Sequence, residues 1–136
     1  MAEDPLRGET LDTLTAGLPV GSEVFQLPPN PDAAIADAVL VAAARHRRVL
    51  LGTTLARFDA AHRRFAHRIA SSHPGVVAIA LRNPFDFEVL PSSTTCVTAY
   101  GFRPVHQRAL LKVLFGRVAP YGRLPVALID RSSDGV

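Results

Sequence analysis

The apolar positions of the chain alternate between a helical and a strand-like period. Leu6, Leu11, Leu14 and Leu18 fall near one face of a short helix opened by Pro5 and ended by Gly17 and Pro19. Residues 22–27 alternate around Val24, Phe25 and Leu27, which predicts a strand stopped by Pro28 and Pro29. Asn30 as N-cap and Pro31 at the first helical position open an Ala-rich helix that runs to about Arg45. Val49, Leu50 and Leu51 predict a short buried strand ended by Gly52. A helix over 56–72 follows, with Phe58, Ala61, Phe65 and Ile69 as its core stripe.

The run 76–81, Val-Val-Ala-Ile-Ala-Leu, is apolar throughout and predicts a strand covered on both faces. Arg82, Asn83 and Pro84 end it, and 85–90 form a short connection of one helical turn. Residues 94–99 predict a further strand and 104–115 the last helix, with Val105, Leu110, Val113 and Leu114 as core candidates and Gly116 as its stop. Residues 124–129 read as a closing strand. Strands alternating with helices predict an α/β fold: a three-layer α/β/α sandwich with a mostly parallel, flavodoxin-like sheet.

Composition narrows the picture without changing it. The 136 residues, 48% apolar and 20% charged, suit one globular domain over 1–136, with 1–20 as its N-terminal helix. They are too few for a (β/α)₈ barrel, which takes about 250 residues. The net charge is +3, yet Lys112 is the sole lysine among 15 cations, and the arginines form no long run. That pattern speaks against nucleic acid as a partner. No apolar run reaches the roughly 20 residues of a membrane span, and the acidic start lacks a signal-peptide pattern, so a cytoplasmic protein is expected. Cys96 stands alone within a strand, which excludes an intrachain disulfide and reads as a small buried hydrophobe.

Candidate chemistry is sparse. Ligands of open α/β sheets meet the loops beyond the carboxyl ends of the strands. Those loops hold Thr53, Thr54, Arg82, Asn83, Asp86, Tyr100 and Arg103, the candidate binding residues. Arg82 and Asn83 offer directed donors for a carboxylate, a phosphate or sugar hydroxyls. The alternative is structural, with Asn83 capping a turn before Pro84 and Arg82 paired with Asp86. Tyr100 either flexes against a ligand or packs under the following helix. Asp86 and Glu88 are two apart and read as a solvated loop rather than a catalytic pair. His46, His62, His67, His73 and His106 read as surface or boundary residues; His62 and His67 diverge by about 140° on a helix, so no metal site is expected. No nucleophile elbow, phosphate loop or dinucleotide fingerprint occurs, so neither catalytic residues nor a cofactor are assigned.

Four pieces in order make the chain recognisable. They are the strand ending in Leu81-Arg82-Asn83-Pro84-Phe85-Asp86, then Thr98-Ala99-Tyr100-Gly101-Phe102, then Ala109-Leu110 through Val113-Leu114-Phe115-Gly116. The last is Pro120-Tyr121-Gly122-Arg123-Leu124-Pro125-Val126. This series resembles the C-terminal α/β sandwich domain of glycoside hydrolase family 3, in its bacterial β-N-acetylhexosaminidase branch. The resemblance implies a sandwich that packs beside a (β/α)₈ barrel. The nucleophilic Asp and an acid/base His–Asp pair then lie on the barrel, and Glu23 and Glu88 receive no acid/base role. It further implies a strand ahead of the first helix, and because the sequence opens at that helix this strand is expected to be missing; unpaired strand edges, a direct pairing of neighbours or a dimer that repairs the sheet would follow.

Two functions are consistent with these features. One is an accessory domain that supports hydrolysis of β-linked N-acetylglucosamine glycosides by a partner barrel, with a saccharide near the strand-end loops. The other is a stand-alone α/β binding or oligomerisation module, a homodimer among its forms, without glycosidase activity.

Overall fold

The computed structural model describes residues 10–28 and 30–129. Three parallel strands, β1 (Val49–Thr53), β2 (Val76–Ala80) and β3 (Thr95–Thr98), pair in the order β1-β2-β3. Val49 lies opposite Val76 and Thr53 opposite Ala80, while Val77 lies opposite Thr95 and Ala80 opposite Thr98. Helices α1 (Asp12–Ala16), α2 (Ala33–Ala44), α3 (Ala60–Ser72) and α4 (Pro104–Leu114) complete the three-layer sandwich, with a 3₁₀ segment over Pro84–Val89.

Side-chain alternation along β2 builds two cores, one on each face. Val76, Ala78 and Ala80 meet Phe65, Ala66 and Ile69 of α3, Ala36 of α2, Leu51 of β1, and Phe87 and Leu90 of the 3₁₀ segment. Ile79 and Leu81 meet Leu14 of α1 and Leu110 of α4 on the opposite face. The uninterrupted apolar run of this strand is therefore explained by cover on both sides. Both crossovers, through α3 and through the 3₁₀ segment, pass over the first face. Consecutive parallel strands laid side by side in one direction need that arrangement if both connections are right-handed.

The second layer is narrower than the sheet. It covers β2 and β3, whereas Leu50 and Gly52 of β1 stay exposed on that face. β1 pairs with β2 alone among the described residues. Val49 donates to Gly75 O, and Thr53 O accepts from Leu81 N, so the backbone groups of Leu50 and Gly52 turn to the open edge.

Two expected strands do not form. Residues 22–28 and 121–129 contain no strand, and Val24, Phe25, Leu124, Val126 and Ile129 are exposed. Their alternation is right for a strand, but no neighbouring ladder lies beside them to take up their backbone groups. The segment 22–28 is instead strapped to the end of α2, where Glu23 pairs with Arg45 at 3.2 Å and His46 at 2.8 Å.

The first helix is shorter than its periodicity predicts. It covers Asp12–Ala16, with Leu14 buried; Pro5 and Leu6 lie outside the described residues, as does Pro29. Asp32, not Asn30, caps α2 by accepting from Ile35 N at 2.8 Å. Asp59 caps α3 in the same way, accepting from His62 N at 2.8 Å. The later start of α3 leaves Phe58 outside the helix and 71% exposed, so it does not belong to the core stripe. Val105, at the open start of α4, is likewise exposed, and the buried position on that turn belongs to Gln107.

Candidate functional site

The carboxyl ends of β2 and β3 border an open hollow of about 200 Å³ lined by Leu81, Arg82, Tyr100, Gly101, Phe102, Arg103 and His106. Arg82 leaves β2 at the turn that Asn83 fixes by accepting from Phe85 N at 3.1 Å. After β3, the Thr98 hydroxyl donates to Ala80 O at 2.8 Å and accepts from Tyr100 N at 3.2 Å. That lock holds Tyr100 at φ +56°, a left-handed conformation uncommon for an aromatic residue. A Cβ at position 101 would stand 2.8 Å from His106 Cε1, so glycine there lets the loop close on the imidazole.

The hollow is basic in character. Among the described residues two arginines and one histidine line it and no carboxylate does. His106 Nδ1 is buried with no hydrogen-bond partner. Two amide groups of the first turn of α4 are occupied within the protein: His106 N and Gln107 N both donate to Arg103 O.

Among the sequence-derived candidates, the structure brings together Arg82, Tyr100 and Arg103. Thr53 is buried at the end of β1 with its hydroxyl unpartnered, Thr54 is half-buried, and neither lines the hollow. Asn83 has the capping role described above. His106, Gly101 and Phe102 complete the hollow and were not among the candidates. Their position in the loop and first turn after a parallel strand is the signal that could have found them.

Asp86 and Glu88 are not a solvated loop. Asp86 is 1% exposed, and its Oδ1 accepts from Arg57 N at 3.1 Å rather than pairing with Arg82. The Glu88 side chain is 8% exposed, with Oε2 2.6 Å from Arg57 Nη1 and Oε1 accepting from Ile129 N at 3.0 Å. The Arg57 guanidinium also lies over the Phe85 ring, 5.2 Å from its centroid. One arginine thus engages both carboxylates, one through its backbone and one through its side chain, joining the loop after β1 to the 3₁₀ segment. Acids committed in this way hold the loops and do not face the hollow.

Other polar groups are also committed. Arg68 pairs with Asp37 at 2.6 Å, and Arg63 Nη1 donates to Arg57 O, so the arginines of α3 and its approach partly serve packing. Cys96 is half-buried against the first core. Among the described residues no three His, Cys, Asp or Glu side chains converge as a metal site would require, and no helix is long and apolar enough to cross a membrane. The arrangement can bind acceptor-rich groups through guanidinium and imidazole donors. It contains no paired general acid and base.

Comparison with known proteins places this geometry. No protein-family model matches the chain, and no curated protein matches it in sequence. Among solved structures, it is similar to a glycoside hydrolase family 3 beta-N-acetylglucosaminidase from Paenibacillus sp. str. FPU-7, with a TM-score of 0.70 and 25% identity. The match covers 87% of this chain and 23% of that one, so the chain has the fold of a part of that glycoside hydrolase.

Proposed function

We propose that this chain is an accessory, non-barrel domain of a β-N-acetylhexosaminidase-like family 3 glycoside hydrolase. It buttresses a (β/α)₈ barrel that hydrolyses β-linked N-acetylglucosamine glycosides with retention, through a barrel carboxylate. The structural match over 87% of the chain to 23% of a family 3 enzyme carries this reading. Arg82, Tyr100 and Arg103 are the loop residues that would touch a saccharide, while Thr53, Thr54, Asn83 and Asp86 shape and hold the loops around them. The purified chain is expected to leave an aryl N-acetyl-β-glucosaminide uncleaved. Turnover that co-purifies with the chain and disappears in the double variant Asp86→Asn, Glu88→Gln would overturn the accessory role.

The exposed edge and face of β1 favour a second reading, a self-associating module. Leu50 and the backbone groups of residues 50 and 52 offer a short ladder to a second copy. Light scattering coupled to size exclusion separates the two. A dimer abolished by Leu50→Lys supports self-association, and a monomer across the concentration range removes it.

A further inference from the structure

The geometry points to the hollow between β2 and β3 as a binding site for an oxyanion, a carboxylate or phosphate group carried by a small ligand. This deepens the saccharide reading of the same loops by naming the charge of the ligand. It does not require a barrel.

Three observations carry it. The first is sign: Arg82, Arg103 and His106 line the hollow, without a carboxylate among its lining residues. Guanidinium groups present planar pairs of donors that match carboxylate and phosphate oxygens. The second is availability. Arg82 is exposed and makes no hydrogen bond or ion pair with the described residues, in contrast to Arg57 and Arg68, which the fold uses. The third is an unmet need inside the site. His106 Nδ1 is buried and unpartnered beside Gly101, and an acceptor that reaches it as the loop of Gly101 shifts would complete it when that nitrogen carries the proton. The volume of about 200 Å³ accommodates such a group with several attached atoms, since a water molecule takes roughly 30 Å³. Phe102 and the Tyr100 ring add apolar surface for a sugar or other carbon skeleton behind the charge.

The amide NMR spectrum of the full chain, titrated with inorganic phosphate, D-glucuronate and neutral N-acetylglucosamine, tests the proposal. Saturable shifts of the amides of residues 82, 100–103, 105 and 106 are expected with phosphate or glucuronate. The tighter of the two identifies the source as a phosphate ester or an acidic sugar. Arg82→Ala should weaken binding about tenfold, the loss of one charge-assisted hydrogen-bonded contact. Because Arg82 has no partner among the described residues, its thermal melting should be unchanged. Arg82→Lys should recover part of the affinity, as it restores charge without the planar fork. Equal or stronger shifts with N-acetylglucosamine would overturn the anionic assignment while leaving a saccharide site standing. Absence of shifts at 82, 100–103, 105 and 106 with both anions would overturn it outright, as would anion binding unaffected by Arg82→Ala. None of these outcomes depends on whether the chain partners a barrel, which the turnover assay addresses separately.

Discussion

Gln107 is wholly buried, and its amide is used at both ends. Oε1 accepts from Leu14 N at 2.7 Å, while Nε2 donates to Thr10 O and Phe102 O. One side chain thereby joins the approach to α1, α1 itself and the loop before α4. Gln107→Leu keeps the volume but strips partners from the Leu14 amide and the Phe102 carbonyl. A loss of about 2–3 kcal/mol in urea unfolding is expected; a loss near zero would show that water replaces the amide. Periodicity alone places an apolar residue on such a turn, and so Val105 was expected inside. What decides the position is a set of backbone groups brought from 93 residues away, which no local pattern encodes. The burial of Asp86 and Glu88 has the same origin, since Arg57 reaches them from a different loop.

Elements were legible where their burial is two-sided or their caps are local. The apolar run of β2, the turn at Asn83 and the stop of α4 at Gly116, with φ +68°, all follow from neighbouring residues. Residues 22–28 and 121–129 were not, because a strand exists only beside a partner and alternation says nothing about who that partner is. The first of these segments is held by charge. The hydrogen bond from His46, aided by Arg45, keeps the Glu23 carboxyl below its ordinary value near 4.5. A lowered acid stabilises the fold above its unfolded value, and the contribution is lost as pH falls through the folded one. Wild type should therefore melt slightly above Glu23→Gln at neutral pH, with the gap closing well below pH 4.5. Melting curves of the pair across that range check it. Equal melting of the two at neutral pH would assign the strap to packing of Leu27 alone.

On the scale of the whole molecule, the three layers and parallel sheet were legible, and so was the pairing of strands with helices between them. The candidate site was half legible: the rule that ligands meet strand ends selected loops that border the hollow, yet could not tell which side chains turn into it and which turn inward. The uneven width of the second layer was also invisible, because Leu50 reads as core until the helices are seen to stop short of it. Its two helices approach closely, as a Cβ on Gly17 would stand 2.3 Å from Leu111 Cδ1. This layer joins opposite ends of the sequence, and that has a consequence for synthesis. The Leu14 amide leaves the ribosome 93 residues ahead of the glutamine that receives it. At roughly 5–20 residues per second, α1 waits several seconds with its apolar face bare while the sheet behind it is already being made. The earliest translated of the four described helices is among the last of them to dock, and that interval is when a chaperone or another nascent chain has access to it.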